Sequence, residues 1–300
     1  MPSDTPPVCD YEGSDYRERF WEGQERSYED SVERIALRRL MPASGSTLIE
    51  IGAGFGRLAE EYRGYEKVVL FDYSRSLLRQ AQSHLGTDPR FIYVAGNWYK
   101  MPFVTGLFST LVQVRTLHHA ADVPALFQQL HRIAQFNSCY ILEFANKHNL
   151  KAILRYLLKQ QTWSPFSHEP IEFVELNFNF HPQWISQQLQ MADFLPSQML
   201  TVSRYRLSTL KRLLPTRLLV SLDSFFQWTG NWWQLSPSVF VKNRFQGSPT
   251  PLSGNEFFAC PECLTPLGKV DNGRLTCPNP HCQLQWAVEN GLYNFKEPIT

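Results

Sequence analysis

The 300-residue chain has no apolar run near the ~20 residues that a bilayer-spanning helix needs, which argues against an integral membrane protein. Its start carries Asp4, Asp10, Glu12 and Asp15 and lacks the basic and apolar segments of a secretory signal, so the expectation is a soluble, cytoplasmic protein. Net charge is nearly absent, with 29 basic against 28 acidic side chains, so the whole molecule has no electrostatic pull toward nucleic acid or an anionic membrane. Internal repeats are missing, which excludes a solenoid. Cysteine is scarce through most of the chain, where Cys9 and Cys139 stand alone. Disorder is excluded by the 43% of hydrophobic residues, enough for a full core.

What is present is sectored. Residues 145–245 hold 11 basic and 5 acidic side chains, whereas residues 1–47 hold 6 and 10 and residues 246–300 hold 3 and 5. The turn-rich stretch Gln246 to Gly254 marks a domain boundary. Between 47 and 145, short apolar runs alternate with amphipathic ones. Strands are expected at 47–51, 67–71, 90–94, 107–114 and 139–144, with helices at 55–62, after Ser74 and at 123–134. Such alternation implies an α/β fold with a doubly wound, mostly parallel sheet, whose ligands bind at the carboxyl ends of the strands.

The first strand runs into Glu50-Ile-Gly52-Ala-Gly54-Phe-Gly56-Arg57. Glycines there permit a sharp turn and close approach of a ligand. Asp72 closes the second strand, 20 residues after Gly52, where a carboxylate can accept hydrogen bonds from both ribose hydroxyls. The alternative is a tight turn followed by a helix-capping acid. The dinucleotide fingerprint G-x-G-x-x-G is not met, because Arg57 fills its third glycine position. Acidic Glu50 beside the loop would repel a pyrophosphate and suits a cofactor with a cationic amine or sulfonium.

On these residues the chain resembles the class I S-adenosylmethionine (SAM)-dependent methyltransferases. Glu50 to Gly56 is similar to their first motif and Asp72-Tyr73-Ser74 to their ribose-binding segment. Gly96-Asn97-Trp98, followed by Met101-Pro-Phe103, resembles the stretch beside the adenine ring, with Asn97 in place of the usual Asp. Val114 to His119 resembles the His-His segment of the small-molecule branch that includes quinone-biosynthesis enzymes. The resemblance implies SAM as cofactor and a seven-stranded sheet over residues 45–245, with a fifth crossover helix at 187–194 and later strands at 199–207 and 236–241.

Methyl transfer is an in-line displacement, so the protein mainly positions two partners and excludes water. His118 and His119 are the candidate general bases; the alternative is packing of one and helix capping by the other. Arg115 could bind an acidic acceptor or the cofactor carboxylate, or pair with Glu143. No Asn/Asp-Pro-Pro-Tyr/Phe motif follows the fourth strand, and no Pro-Cys nucleophile, which argues against amino-group methylation of bases and cytosine-C5 chemistry.

Residues 1–44 read as an N-terminal cap with a helix near 28–40, from which Tyr16, Arg19 or Tyr28 could line the pocket. Insertions at about 146–180 and 208–235 read as substrate lids. In the first, Lys147, Lys151, Arg155 and Lys159 oppose Leu150, Ile153, Leu154, Leu157 and Leu158, a basic amphipathic helix. It is expected to pack on the core with its basic face in water, ahead of the alternative that it touches anionic lipid, phosphate or RNA. The second insertion, with Phe225, Trp228, Trp232 and Trp233, suggests an enclosed, partly aromatic acceptor pocket.

Cys260, Cys263, Cys277 and Cys282 form a Cys-x2-Cys-x13-Cys-x4-Cys pattern in residues 255–300, a tetrahedral ligand set for a structural Zn²⁺, with His281 as an alternative to Cys282. The surrounding sequence resembles zinc ribbons of the small methyltransferase-activator family, fused here in one chain, and implies stabilisation of the fold or docking of a protein partner. The leading reading is a methyltransferase for a small or lipid-like acceptor. The alternatives are an RNA or protein methyltransferase using the basic segment, and a non-catalytic SAM-binding regulator or assembly factor.

Overall fold

Side-chain alternation fixes which face of each strand is buried against what. In the strand β1 (Gly45–Ile51), Ile49 and Ile51 enter one buried cluster and Leu48 enters another on the opposite face. Strand β2 (Tyr65–Asp72) repeats the pattern, with Val69 and Phe71 on the first face and Val68 and Leu70 on the second. A sheet covered on both faces needs such near-continuous apolar runs. The protein is seen in a computed structural model that describes residues 5–14, 26–249 and 256–299.

The next strands are β3 (Phe91–Ala95), β4 (Phe108–Gln113) and β5 (Ala134–Ala145); a hairpin follows, β6 (Ile171–Val174) and β7 (Asn177–Asn179), then β8 (Phe194–Val202) and β9 (Ser238–Phe245). Helices are α1 (Ser27–Leu40), α2 (Arg75–Leu85), α3 (Val123–Ile133), α4 (Leu150–Leu157), α5 (Pro182–Met191), α6 (Ser208–Leu213) and α7 (Thr216–Phe226). Ser74 caps α2 by accepting from the Leu77 N–H, and Asp122 caps α3 by accepting from Ala125. Seven strands run in the order β3-β2-β1-β4-β5-β9-β8, parallel except for β9, which is antiparallel to both its neighbours. The expected doubly wound α/β sheet is therefore present. Helices α3 and α5 cover one face, and α1, α2 and α7 pack on the other.

Three expectations for local structure need correction. The fifth crossover helix spans Pro182–Met191 rather than 187–194, with Pro182 opening it and Phe194 already in the next strand. The segment 55–62 is a series of turns ending in a 3₁₀ turn, Ala59–Tyr62, because Gly54 and Gly56 hold φ of +53° and +76° and break the helical path. The sixth strand starts at Phe194 rather than Met199. Pro196 is tolerated because β8 lies at the sheet edge, and the bulge between Pro196 and Gln198 hides the alternation.

The C-terminal module extends the same sheet through β10 (Arg274–Thr276), β11 (Gln285–Glu289) and β12 (Leu292–Ile299), for ten strands among the described residues. Strand β12 adds in parallel to β3, with Leu292, Tyr293 and Asn294 opposite Tyr93, Val94 and Ala95. Phe258, Trp286 and Phe295 share the buried cluster of Phe71 and Phe103. Arg79 and Gln82 of α2 donate to the carbonyls of Glu289 (2.8 Å) and Asn290 (2.6 Å), which secures the β11–β12 turn. Phe295→Ala is expected to cost about 3–5 kcal/mol. Denaturant unfolding should lose that stability in a single shared transition, and a separate early transition of the module would contradict the common core.

Candidate functional site

The carboxyl ends of β1, β2, β3 and β4 meet where β1 passes to its two neighbours, the place at which a doubly wound sheet leaves a crevice. The turn after β1 is built for close approach. A Cβ on Gly52, at φ +72°, would lie 2.2 Å from Cγ2 of Thr116, so only glycine fits there. At Gly54 a Cβ would meet only Leu77, at 4.0 Å, leaving open space over the backbone. Asp72 joins this turn to the next one: its Oδ2 accepts from the Gly54 N–H (2.7 Å) and its Oδ1 from the Ser74 N–H (2.8 Å). Burial raises the Asp72 pKa, while the Ser74, Gly54 and Tyr73 N–H groups oppose the rise. Each carboxylate oxygen retains a second lone pair for a ligand.

Two cavities adjoin this turn. One is lined by Gly52, Asp72, Tyr73, Gly96, Trp98, Thr116 and His119 together with Val8, Cys9 and Tyr11. The other is lined by Glu50, Gly52, Gly54, Arg57 and Arg115. Glu50 is 3% exposed. Burial pushes its pKa up to about 8 against the opposing charge of Arg57 and a hydrogen bond with the Tyr62 hydroxyl. The indole of Trp98 is likewise buried. Tyr62 beside Glu50 and Tyr99 beside Trp98 are the neighbours that face these two groups, and the Glu50 carboxyl retains acceptor capacity for a ligand. Asn97 turns its Oδ1 to the Tyr99 N–H (2.8 Å) and faces a neighbouring cleft shared with Tyr73, Lys100 and Lys296.

Arg115 does not pair with Glu143. Its guanidinium binds Glu33 of α1 (2.7 Å), and Glu143 instead accepts from the Arg115 backbone N–H (2.8 Å). Arg57 binds Glu33 as well (3.1 Å). Burial alone would raise the Glu33 pKa, but Arg115 and Arg57 together hold it below the usual carboxylate range. A salt bridge to a helix 82 residues earlier leaves no local trace in the sequence.

His118 and His119 have different surroundings. His119 lines the first cavity and His118 does not. Nδ1 of His119 lies 2.9 Å from the Leu176 carbonyl, which can only accept, so the proton sits on Nδ1 and Nε2 carries the free lone pair. Nε2 in turn takes the hydroxyl of Tyr11 (3.1 Å). Burial lowers both pKa values, that of His118 well below the usual range, so both rings are neutral near pH 7.

Tyr28 does not line the cleft: it is buried and donates to Asp223 (2.6 Å). Tyr16 and Arg19 lie outside the described residues. The residues that cover the cleft are instead Val8, Cys9 and Tyr11, in an irregular strap whose lack of periodicity hid it from the sequence reading. Glu12 anchors the strap by capping α2 at the N–H groups of Arg75 and Ser76. Lys296 of β12 lies 3.3 Å from Asp10 and 3.9 Å above the Tyr73 ring. With the strap down, the cavity beneath it is about 60 Å³. Ligand pockets span roughly 300–1,000 Å³, so the space beneath the strap alone is smaller than a cofactor of nucleoside size takes.

The four cysteine Sγ atoms lie within 4.8 Å of one another, with Cys260–Cys282 at 3.7 Å and Cys263–Cys277 at 3.4 Å. Tetrahedral zinc at about 2.3 Å from each sulfur separates ligands by roughly 3.8 Å, so the donor set fits that ion. Cys282, and not His281, completes the group among the described residues.

Residues 49–142 match the family model described as "Methyltransferase domain". No curated protein matches the chain. Among solved structures, the fold is similar to a chain from the "Complex between the Haloferax volcanii Trm112 methyltransferase activator and the putative methyltransferase", with TM-score 0.54, 10% identity and coverage of 78% of this chain and 95% of that one. It is also similar to a SAM-dependent methyltransferase from Mesorhizobium loti (TM-score 0.52, 18% identity, 71% and 97% covered). A third, from Thermotoga maritima, has TM-score 0.51 and 15% identity, with 77% and 98% covered. The fold is thus the Rossmann-like one of these methyltransferase structures, and residues 49–142 match a methyltransferase domain.

The Asp72 carboxylate is expected to be the strongest polar contact of the cleft. Asp72→Asn should weaken S-adenosylhomocysteine binding by about 10- to 100-fold in calorimetry, the worth of a charge-assisted hydrogen bond. Unchanged affinity would remove Asp72 from the site.

Proposed function

We propose that the protein transfers a methyl group from SAM to a small or lipid-like acceptor. The observation that carries this reading is the buried carboxyl of Glu50 beside a glycine turn that Asp72 ties to β2. When bound, SAM supplies an electrophilic methyl group on a positively charged sulfur. Asp72 would hold the ribose hydroxyls, and Tyr73 and Trp98 would flank the base. Glu50 would take the ammonium, and Arg115 and Arg57 the carboxylate end. Nε2 of His119 is the one basic atom of the pair that the cleft reaches, so it would receive the acceptor's proton where the acceptor holds one. For that it must exchange Tyr11 for the acceptor, which links acceptor entry to the strap.

Glu50 supplies a test through proton linkage. Its pKa of about 8 means that the ligand-free site holds a proton at neutral pH. An incoming ammonium favours the carboxylate, so binding should release up to one proton per chain between pH 6 and pH 7. Calorimetry in buffers of different ionisation enthalpy reads this directly, and Glu50→Gln should abolish the release. For the ligand-free protein the sign is fixed as well. Unfolded Glu50 ionises near pH 4.5, so its contribution to stability is full below that value and is lost as pH rises toward about 8. Glu50→Gln should flatten this decline.

The C-terminal module is inferred to be a zinc ribbon that serves the catalytic domain in cis, as an activator would in trans. The thiolate spacing and the docking of β12 on β3 support this. One zinc per chain is expected by metal analysis. Cys260→Ser or a strong chelator should remove the ion and lower the unfolding midpoint of the whole sheet. A full midpoint in zinc-free protein would refute a structural metal.

A further inference from the structure

The helix α4 does not pack as a lid. Its only buried residue is Ala152, and the leucines expected to face the core face water, Leu157 at 65% exposure. The second insertion behaves in the same way: Leu213, Phe225, Trp232 and Trp233 are 79%, 75%, 72% and 67% exposed. A monomer rarely leaves so many large apolar side chains in solvent without a use for them. The enclosed aromatic pocket expected of this insertion is absent from these residues.

The two exposed regions are joined. Leu150 at the start of α4 donates its N–H to the Leu235 carbonyl (2.9 Å), and the Asn146 amide donates to the carbonyls of Gln234 (2.6 Å) and Ser236 (2.9 Å). They also leave the same edge of the sheet. Strands β5 and β8 are both antiparallel to β9 and hence parallel to each other, so their ends at Ala145 and Val202 lie on the edge that carries Gly52 and Asp72. The apolar face therefore rises beside the cleft.

Its charge has one sign. Lys151, Arg155, Lys159, Arg212 and Arg217 make no ion pair among the described residues, whereas Lys211 pairs with Glu29 (2.5 Å). Residues 146–161 contain no acid, and the only acid in 203–235 is Asp223, buried and bonded to Tyr28. The exposed acids nearby are Glu169, which precedes the β6–β7 hairpin, and Glu172 and Glu175 within the hairpin and its turn. Protein–protein interfaces are depleted in lysine at their centre. Trp, Phe and Leu alternating with Lys and Arg is instead the composition of helices that lie in the plane of a bilayer, with aromatic rings at headgroup level. No helix among the described residues is long and apolar enough to cross one.

We propose that α4 and the 203–235 insertion form one docking face for an anionic phospholipid bilayer, with Phe225, Trp232, Trp233 and the leucines entering the headgroup boundary and the unpaired cations binding lipid phosphates. The face itself stands independently of the methyltransferase reading. Its consequence for function, a membrane-borne acceptor presented at the cleft mouth, rests on that reading.

The test uses the full zinc-loaded chain without cofactor and vesicles of phosphatidylcholine with or without phosphatidylserine. Co-sedimentation should require phosphatidylserine and fall with added salt, and tryptophan emission should shift to the blue and be quenched by brominated lipid. Phe225→Glu with Trp232→Glu should reduce binding at least about tenfold while leaving the unfolding midpoint and S-adenosylhomocysteine affinity unchanged, since neither side chain is buried. Lys151→Glu with Arg217→Glu should remove the phosphatidylserine dependence. No partition, equal partition into neutral vesicles, a dimer that Phe225→Glu dissociates, or RNA binding in place of lipid binding would each overturn the proposal. Vesicle binding by the unmutated chain together with no measurable affinity for S-adenosylhomocysteine or SAM would overturn the methyltransferase reading alone.

Discussion

Asp72 bonds two backbone turns that belong to different strands. Its two oxygens hold the Gly54 and Ser74 N–H groups, so the turn after β1 and the start of α2 keep a fixed separation at the carboxyl edge. Everything around the cleft is positioned from these turns. Glu50 is buried on the strand leading into one, Ser74 caps the helix that leaves the other, and the strap is pinned to the same helix start through Glu12. A charged side chain used as a backbone clamp remains available to a ligand because a carboxylate accepts more bonds than two N–H groups supply.

The parts of the fold legible in the sequence were those with a local signal. Strands β1 to β5 announced themselves by apolar runs, the glycine turn by residues that tolerate positive φ, and the thiolate cluster by spacing. What was not legible depends on distant partners. The ion pair of Arg115 with Glu33, the seating of β12 on β3 and the strap over His119 all join residues with no periodic relation. The amphipathic pattern at 147–159 forms a helix only over Leu150–Leu157: Lys147 lies before it, buried and donating to the Glu169 carbonyl, Lys159 lies beyond it at φ +58°, and the helix does not pack as a lid. Periodicity reports that one face is apolar, and it cannot report whether protein or some other phase covers that face.

The C-terminal module changes the sheet's edge as well as its stability. Without it, β3 would present a row of unpaired backbone groups, the usual starting point for edge-to-edge aggregation. Strand β12 covers that row, and β10, a strand of three residues, becomes the new edge. Short edge strands offer little template for further pairing. The four-cysteine cluster and the carboxyl edge that carries Gly52 and Asp72 are thereby joined by one sheet.

Lys296 makes a contact between the C-terminal module and the strap. From β12 it reaches Asp10 and the Tyr73 ring, while Glu12 holds the same strap to α2. Loosening of β12 from β3 would therefore release this mooring of the strap and leave the one through Glu12 in place.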